Sequence, residues 1–236
     1  MESDFNYHGP VVVFDLDDTL FRERDFCRSG FRFLLDNIRN RLDFVPEGLF
    51  ERMDRALCER RSPFDCFEAE LKPLFESAGK EWDLAALITA YRNHSPRINL
   101  SDGVVALLNS LRERGVVTGI ITDGRSSTQR NKFRALNLNE FIDESNLIIS
   151  EETGFDKTSP EPFSFFVRKY PEARKFLYVA DNPEKDFFQP NLLGWTTVMV
   201  PENGDNVHPR HLTDDSFCNP AFSVNNPAEI LKLIDG

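Results

Sequence analysis

No apolar run in this chain of 236 residues approaches the length of roughly 20 needed to cross a bilayer, so a membrane-spanning helix is not expected. The opening Met1-Glu2-Ser3-Asp4 lacks the basic start and apolar core of a secretory signal. Cysteine is scarce: Cys27, Cys58, Cys66 and Cys218 show no Cys-x-x-Cys spacing and are too few for a disulfide framework. Buried or free thiols in a reducing cytoplasm are the expectation. Positive charge is also short, with 28 basic residues against 39 acidic and a net charge of −11. That balance disfavours a nucleic-acid backbone or an anionic membrane as partner. It does not exclude a small anionic substrate, because a bound metal, a lysine and arginines reverse the sign locally. Internal repeats and low-complexity segments are absent. What the chain does have is 40% hydrophobic residues, 22 of them phenylalanine, enough to pack one large domain or a core with a smaller insertion.

The most informative residues lie near the start. Asp15 and Asp17 follow the apolar run Val11–Phe14 directly, and Thr19 stands two places further on. Carboxylates at i and i+2 share one side of an extended backbone. At about 4 Å such a pair repels by roughly 4 kcal/mol at a surface-like effective dielectric. That is a large share of a domain's stability of about 5–15 kcal/mol. A neutralising cation is one resolution. A solvated turn, with Asp18 or Thr19 capping a helix, is the other.

Three apolar runs end in a polar residue: Val11–Phe14 before Asp15, Val116–Ile121 before Thr122, and Phe176–Ala180 before Asp181. Short continuous apolar runs with helical segments between them predict parallel strands buried on both faces. Further strands are expected at Leu147–Ile149, Thr196–Val200 and Phe222–Val224. Helices are expected after Ser101, after Ser126, over Pro160–Lys169 and from Pro227. The alternation predicts an α/β fold with a doubly wound, Rossmann-like parallel sheet. Ligands of such sheets bind beyond the carboxyl ends of the strands, near a switch in strand order, where these polar residues would meet.

Between Leu20 and Ser101 the spacing is helical. Phe31, Leu34, Leu35, Ile38 and Leu42 trace one face, and Leu49, Met53 and Leu57 a second. Phe64, Phe67, Leu71, Leu74 and Ala78 trace a third; Leu84, Leu87, Ile88 and Tyr91 a fourth. Pro46, Ser62-Pro63 and Gly79 separate them. Residues 22–97 are expected to form a four-helix insertion into a core of residues 1–21 and 98–236, with Ser95-Pro96 near the return. Four core helices of one larger domain are the alternative.

Lys157, in Gly154-Phe155-Asp156-Lys157-Thr158-Ser159-Pro160, and the run Asp181-Asn182-Pro183-Glu184-Lys185-Asp186 complete a set of aspartates, one lysine and a threonine hydroxyl. In composition this is a hard-cation and phosphate site. At these motifs the chain resembles the haloacid dehalogenase superfamily, specifically its phosphatase branch. The Asp-x-Asp-x-Thr motif matches Asp15, Asp17 and Thr19; the strand ending in Thr or Ser matches Thr122. The lysine motif matches Lys157 with Pro160 and Phe163, and the acidic fourth motif matches Asp181 and Asp186. Four motifs in order, over roughly residues 10 to 200, make a specific signal. The chain departs from the family at Ala180, where glycine is common, at Asp123, where asparagine is frequent, and at Thr158-Ser159, which replaces Pro-Asp.

The resemblance implies a Mg2+-dependent phosphatase acting on a small phosphorylated metabolite, such as a sugar phosphate or nucleoside monophosphate. Asp15 would be the nucleophile, Asp17 the general acid and base, and Lys157 the charge-offsetting cation. Dehalogenases of the superfamily lack the second aspartate, since halide leaves without a proton. Thr122, Asp123 and Gly124 would bind phosphate. Asp15, Asp181 and the Asp17 backbone carbonyl would hold the metal, with Asp186 orienting the ligands. Helical insertions after the first motif are a known cap type in this superfamily, which favours the cap reading of residues 22–97. A phosphosugar mutase and a non-catalytic binding protein on the same fold are the alternatives. Arg24 and Arg125 are expected as solvated surface arginines, and His208 and His211 as surface histidines rather than a metal pair.

Overall fold

The computed structural model describes residues 6–202, 204, 206–207 and 216–235; His208 and His211 lie outside them. The chain runs from β1 (Pro10–Phe14) through four helices, α1 (Glu23–Leu42), α2 (Leu49–Cys58), α3 (Pro63–Ser77) and α4 (Leu84–Asn93). It continues as α5 (Asp102–Glu113), β2 (Val117–Thr122), α6 (Ser126–Ala135), β3 (Leu147–Ile149), α7 (Ser150–Thr153) and α8 (Glu161–Lys169). The remainder is β4 (Lys175–Ala180), α9 (Phe188–Leu192), β5 (Thr196–Met199), β6 (Phe222–Ser223) and α10 (Ile230–Asp235).

The six strands form one parallel sheet in the order β3-β2-β1-β4-β5-β6. Strand β1 is buried throughout because it is paired on both edges, Val11 lying opposite Val117 on one side and Phe176 on the other. Its alternate side chains serve two cores. Val12 and Phe14 join an apolar cluster that takes in α1 to α6 and α10, while Val11 and Val13 pack with Phe163, Phe166, Tyr170 and Trp195. This is the doubly wound α/β arrangement expected from the apolar runs, and the strand order turns between β1 and β4.

Four consecutive helices form where the spacing predicts them, although α3 buries Phe75 and leaves Ala78 exposed, and α4 buries only Leu87 fully. Phe31, Leu34, Leu35 and Ile38 of α1 are buried, each contributing about 1.5–3 kcal/mol by leaving water. Ser62, Asp83 and Ser101 cap α3, α4 and α5 through their side chains. Gly30, in the middle of α1, costs about 1 kcal/mol of helix propensity relative to alanine. Close packing explains it, since a Cβ there would lie 2.3 Å from the ring of Tyr91. Helices α7 and α9, of four and five residues, have no counterpart in the sequence reading, because so short a run carries no periodicity. Among the described residues no helix is long and apolar enough to cross a membrane.

Candidate active site

The ends of β1, β2 and β4 deliver their polar residues to one small cavity of about 110 Å³, lined by Asp15, Asp17, Thr122, Asp123, Lys157, Asp181 and Asp186 together with Asp18, Glu23, Asn182 and Lys185. Asp15 follows the last residue of β1, and its amide donates to the Val179 carbonyl of β4, which fixes it at the seam where the strand order turns. Thr19 Oγ1 donates to Asp15 Oδ2 at 3.1 Å. Asp18 takes a left-handed backbone with φ +53° and accepts the first amide of α1, from Glu23, at 3.0 Å. Asp18 thus caps the start of α1, as the turn reading expects, but it is buried rather than solvated.

Asp15, Asp181 and Asp186 are all buried, and one carboxylate oxygen from each lies within 4.8 Å of the others. Lys157 Nζ donates to Asp15 Oδ1, and to Asp186 Oδ1 at 2.8 Å. Asp186 is otherwise occupied as well, accepting from the Asn182 amide at 3.0 Å and from the Tyr178 hydroxyl at 3.4 Å. Burial pushes the Asp15 carboxyl well above the usual carboxylate range, Lys157 working against that and Asp186, Asp181 and Asp17 adding to it. For Lys157, burial favours the neutral amine, but Asp15 and Asp186 outweigh it and hold the ammonium well above its ordinary value. Three buried carboxylates gather around the Lys157 ammonium. Their hard oxygen donors fit a divalent cation such as magnesium. Asp15 and Asp181 line the cavity with oxygens of the type such a cation takes, and Asp186, bonded to three donors, is suited to orient its neighbours.

Asp17 is gripped from elsewhere. Lys132 Nζ of α6 lies 2.7 and 2.8 Å from its two carboxylate oxygens, and Gln129 Nε2 of the same helix lies 2.8 Å from Oδ2. Gln129 Nε2 also lies 2.6 Å from Thr122 Oγ1 and 3.1 Å from the Asp123 carbonyl. Burial would lower the Lys132 amine, but Asp17 and then Glu23 raise it above its ordinary value. The rings of Phe26 and Phe21 flank the ammonium at 4.5 and 5.9 Å. Glu23, at the start of α1, is pushed up to about 8, chiefly by burial and then by Asp17, with Lys132 opposing.

Asp123 is near Lys157 through its backbone, Oδ1 accepting the Lys157 amide at 3.2 Å; burial raises its carboxyl against that contact. Gly124 stands apart from the other phosphate-binding candidates. Its amide donates to Ser150 Oγ at 2.9 Å, and the residue does not line the cavity. Arg125 is exposed. Arg24 departs from the expected solvated arginine: it makes a two-pronged contact with Asp54 of α2, at 3.1 and 2.9 Å, which draws the side chain out of water.

Sequence reasoning passed over Gln129, Lys132 and Glu23. A signal for the first two exists, since Phe133 and Leu136 mark the inward stripe of α6 and Gln129 and Lys132 fall on it at helical spacing. A glutamine and a lysine on such a stripe read as solvated residues unless partners are visible.

Fold and centre together define a doubly wound α/β enzyme with its acidic site at the turn in strand order. The chain belongs to the haloacid dehalogenase-like hydrolases, whose family profile matches residues 10–187. It is an enzyme of that class, a hydrolase. A glyceraldehyde 3-phosphate phosphatase from Methanocaldococcus jannaschii is 24% identical over 229 residues, covering 94% of this chain and 96% of the relative. A protein of the same name from Pyrococcus abyssi is 28% identical over 191 residues, covering 80% and 79%. Among solved structures, the magnesium-bound putative HAD-hydrolase YfnB of Bacillus subtilis matches with a TM-score of 0.64 at 21% identity, over 98% of this chain and 100% of that one. A HAD phosphatase from Thermococcus onnurineus matches at 0.57 and 21% identity, over 96% and 98%. At such identities the structural likeness establishes the fold alone.

Proposed function

We propose that this hydrolase is a magnesium-dependent phosphatase of small phosphorylated metabolites that works through an aspartyl phosphate on Asp15. The observation that carries the reading is the second carboxylate: Asp17 lines the same cavity as Asp15, two residues away. A halide would leave without a proton, whereas an alkoxide needs one, so a proton-transferring group beside the nucleophile favours a phosphate ester. In the first step an Asp15 oxygen bonds to phosphorus, the ester P–O bond breaks, and the leaving oxygen takes a proton from Asp17. In the second, water bonds to phosphorus and gives its proton to Asp17, and the acyl phosphate P–O bond breaks to free inorganic phosphate and Asp15.

Lys157 offsets charge on Asp15 and on the transferring group, most effectively in the transition state. Thr122 would donate its hydroxyl to a phosphoryl oxygen. Asp15 and Asp181 side chains and the Asp17 carbonyl would hold the cation, with Asp186 keeping them oriented. When bound, it would neutralise the acidic centre enough for an anionic ester to approach and would withdraw charge from the phosphoryl group. We read residues 22–97, holding α1 to α4, as a cap on a core of residues 1–21 and 98–236. This reading is supported by their place between the first two motifs and by α1, which brings Glu23 to the cavity and Phe26 to Lys132. The free thiols support a reducing, cytoplasmic setting.

The relatives named glyceraldehyde 3-phosphate phosphatases make triose phosphates the first substrates to try. Free phosphate should be measured over a panel of triose, other sugar and nucleoside monophosphates, with Mg2+ and with chelator. Release that needs Mg2+ and is lost in Asp15→Asn is the expected result. No release from any ester, or equal release by Asp15→Asn, overturns the proposal. Rearranged ester without free phosphate would instead indicate a mutase.

A further inference from the structure

The amide of Gln129 faces three oxygens, and two of them decide which way round it sits. The Asp17 carboxylate, at 2.8 Å, and the Asp123 carbonyl, at 3.1 Å, can only accept. The amide nitrogen must therefore face them. The nitrogen has two protons for three oxygens: the shorter contacts, to Thr122 Oγ1 at 2.6 Å and to Asp17, take them, with the Asp123 carbonyl sharing one at longer range, and Thr122 accepts here because an amide nitrogen cannot. The Thr122 hydroxyl has one proton of its own, and among the described residues it donates no hydrogen bond. Thr122 is 1% exposed and lines the cavity beside Asp15 and Lys157. Its proton is left for whatever enters that cavity.

The backbone makes room for this amide. A Cβ on Gly124 would lie 3.3 Å from Gln129 Cδ and 3.4 Å from its Nε2, tighter than side chains normally approach, and the residue sits at φ +140°. The glycine expected to bring an amide to phosphate instead leaves space for the Gln129 side chain. Helix α6 is held in turn by α4, where Asn131 Nδ2 donates to the Asn93 and His94 carbonyls at 3.1 and 3.2 Å.

We infer that Gln129 is a positioning residue: by donating to Thr122 and Asp17 together, it commits the Thr122 hydroxyl to donate to the phosphoryl group and fixes the orientation of the Asp17 carboxylate. The inference rests on the phosphatase reading, but it concerns how phosphate is held and is read by binding as well as by turnover. Gln129→Glu keeps the shape and reverses the contact. The new carboxylate accepts the Thr122 proton and turns it away from the cavity. Gln129→Met keeps the length with no hydrogen bond and no charge.

The test measures inorganic phosphate affinity by calorimetry in Mg2+, for wild type, Gln129→Glu, Gln129→Met, Thr122→Val and the double variant Gln129→Glu/Thr122→Val. Thermal midpoints confirm that each is folded. Gln129→Glu is expected to weaken phosphate binding about tenfold and Gln129→Met about threefold. In the Thr122→Val background, Gln129→Glu should cost no more than about twofold, because the hydroxyl it acts through is gone. An equal loss in both backgrounds would mean simple repulsion by the added charge and would overturn the inference. So would wild-type affinity in Gln129→Glu, or a wild type that binds no phosphate. Should wild type bind phosphate but hydrolyse no ester, the phosphatase reading falls, while the same binding cycle still decides the role of Gln129.

Discussion

Asp15 and Asp17 stand two residues apart, yet different regions of the molecule hold them. Asp15 is met by Lys157 from the loop between α7 and α8, and it shares that ammonium with Asp186 while Asp181 crowds the same space. Asp17 has Lys132 of α6 bonded to both of its oxygens, with Gln129 beside it. The first region gathers three buried carboxylates, and in the proposed function a divalent cation would complete it. The second carries its own counter-charge, although Glu23 presses on it from α1. The two aspartates thus share a loop but differ in their proposed parts: Asp15 would meet a metal and an electrophile, and Asp17 would exchange a proton.

Replacing the two lysines should separate the regions most sharply. Lys157→Met removes the ammonium bonded to Asp15, the proposed nucleophile, and kcat for phosphate release is expected to fall about 1,000-fold. Lys132→Met leaves the acid trio and its lysine untouched, and a fall of about tenfold is expected. Equal losses, measured by phosphate release at saturating ester, would show that the two pairs act as one unit. Stability should suffer as well. Lys132 is 4% exposed at its side chain and its removal strands Asp17 without a counter-charge. Unfolding in denaturant should show a cost of about 3 kcal/mol, recovered in part by Asp17→Asn in the same chain.

The cation is the second way to sharpen the contrast. Saturating Mg2+ at about 100 times its dissociation constant should stabilise the native chain by about 2.7 kcal/mol, read as a rise in thermal midpoint. Asp181→Asn should remove most of that rise, because it takes one carboxylate of the buried trio from the centre. Lys132→Met should keep it. Loss of the metal effect in both variants would place the cation between the two regions rather than at Asp15.

The same division explains what could be seen in the sequence. The sheet was legible because its strands are short apolar runs, and three of the six carry a candidate site residue at the carboxyl end, Asp15, Thr122 and Asp181. Lys157 was legible by its place in an ordered motif with Pro160 and Phe163. Lys132 and Gln129 were not, because their burial depends on Asp17 and on α1 and α4 folding over them. Helix α6 is polar along most of its length, and only Phe133 and Leu136 betray its inward stripe. Gly124 was recognised as important, but for an amide that the structure gives to Ser150. Which neighbour a glycine makes room for is a question of tertiary contact, and one sequence does not contain it.

A third charged contact, remote from the acid trio, gives the smallest and cleanest check that charge pairing here need not involve a metal. Asp54 of α2 receives forks from two arginines one turn apart on α1, Arg24 at 3.1 and 2.9 Å and Arg28 at 2.9 Å to each oxygen. Burial acts to raise its carboxyl, but the hydrogen bonds from Arg28 and Arg24 outweigh burial and bring it down to about 2. Because the folded value lies below the unfolded one, the contact contributes fully above the unfolded carboxylate range. That contribution is lost as pH falls from about 4 through about 2. Screening at this partly exposed position limits it to about 1 kcal/mol. Asp54→Asn should therefore unfold more easily than wild type at neutral pH, and the difference should close as the solution is acidified into that window. Added Mg2+ should leave the difference unchanged, since neither arginine nor Asp54 touches the acid trio. A difference that stayed constant down to pH 2 would show that the pair holds α1 and α2 together by packing of the arginine stems rather than by charge.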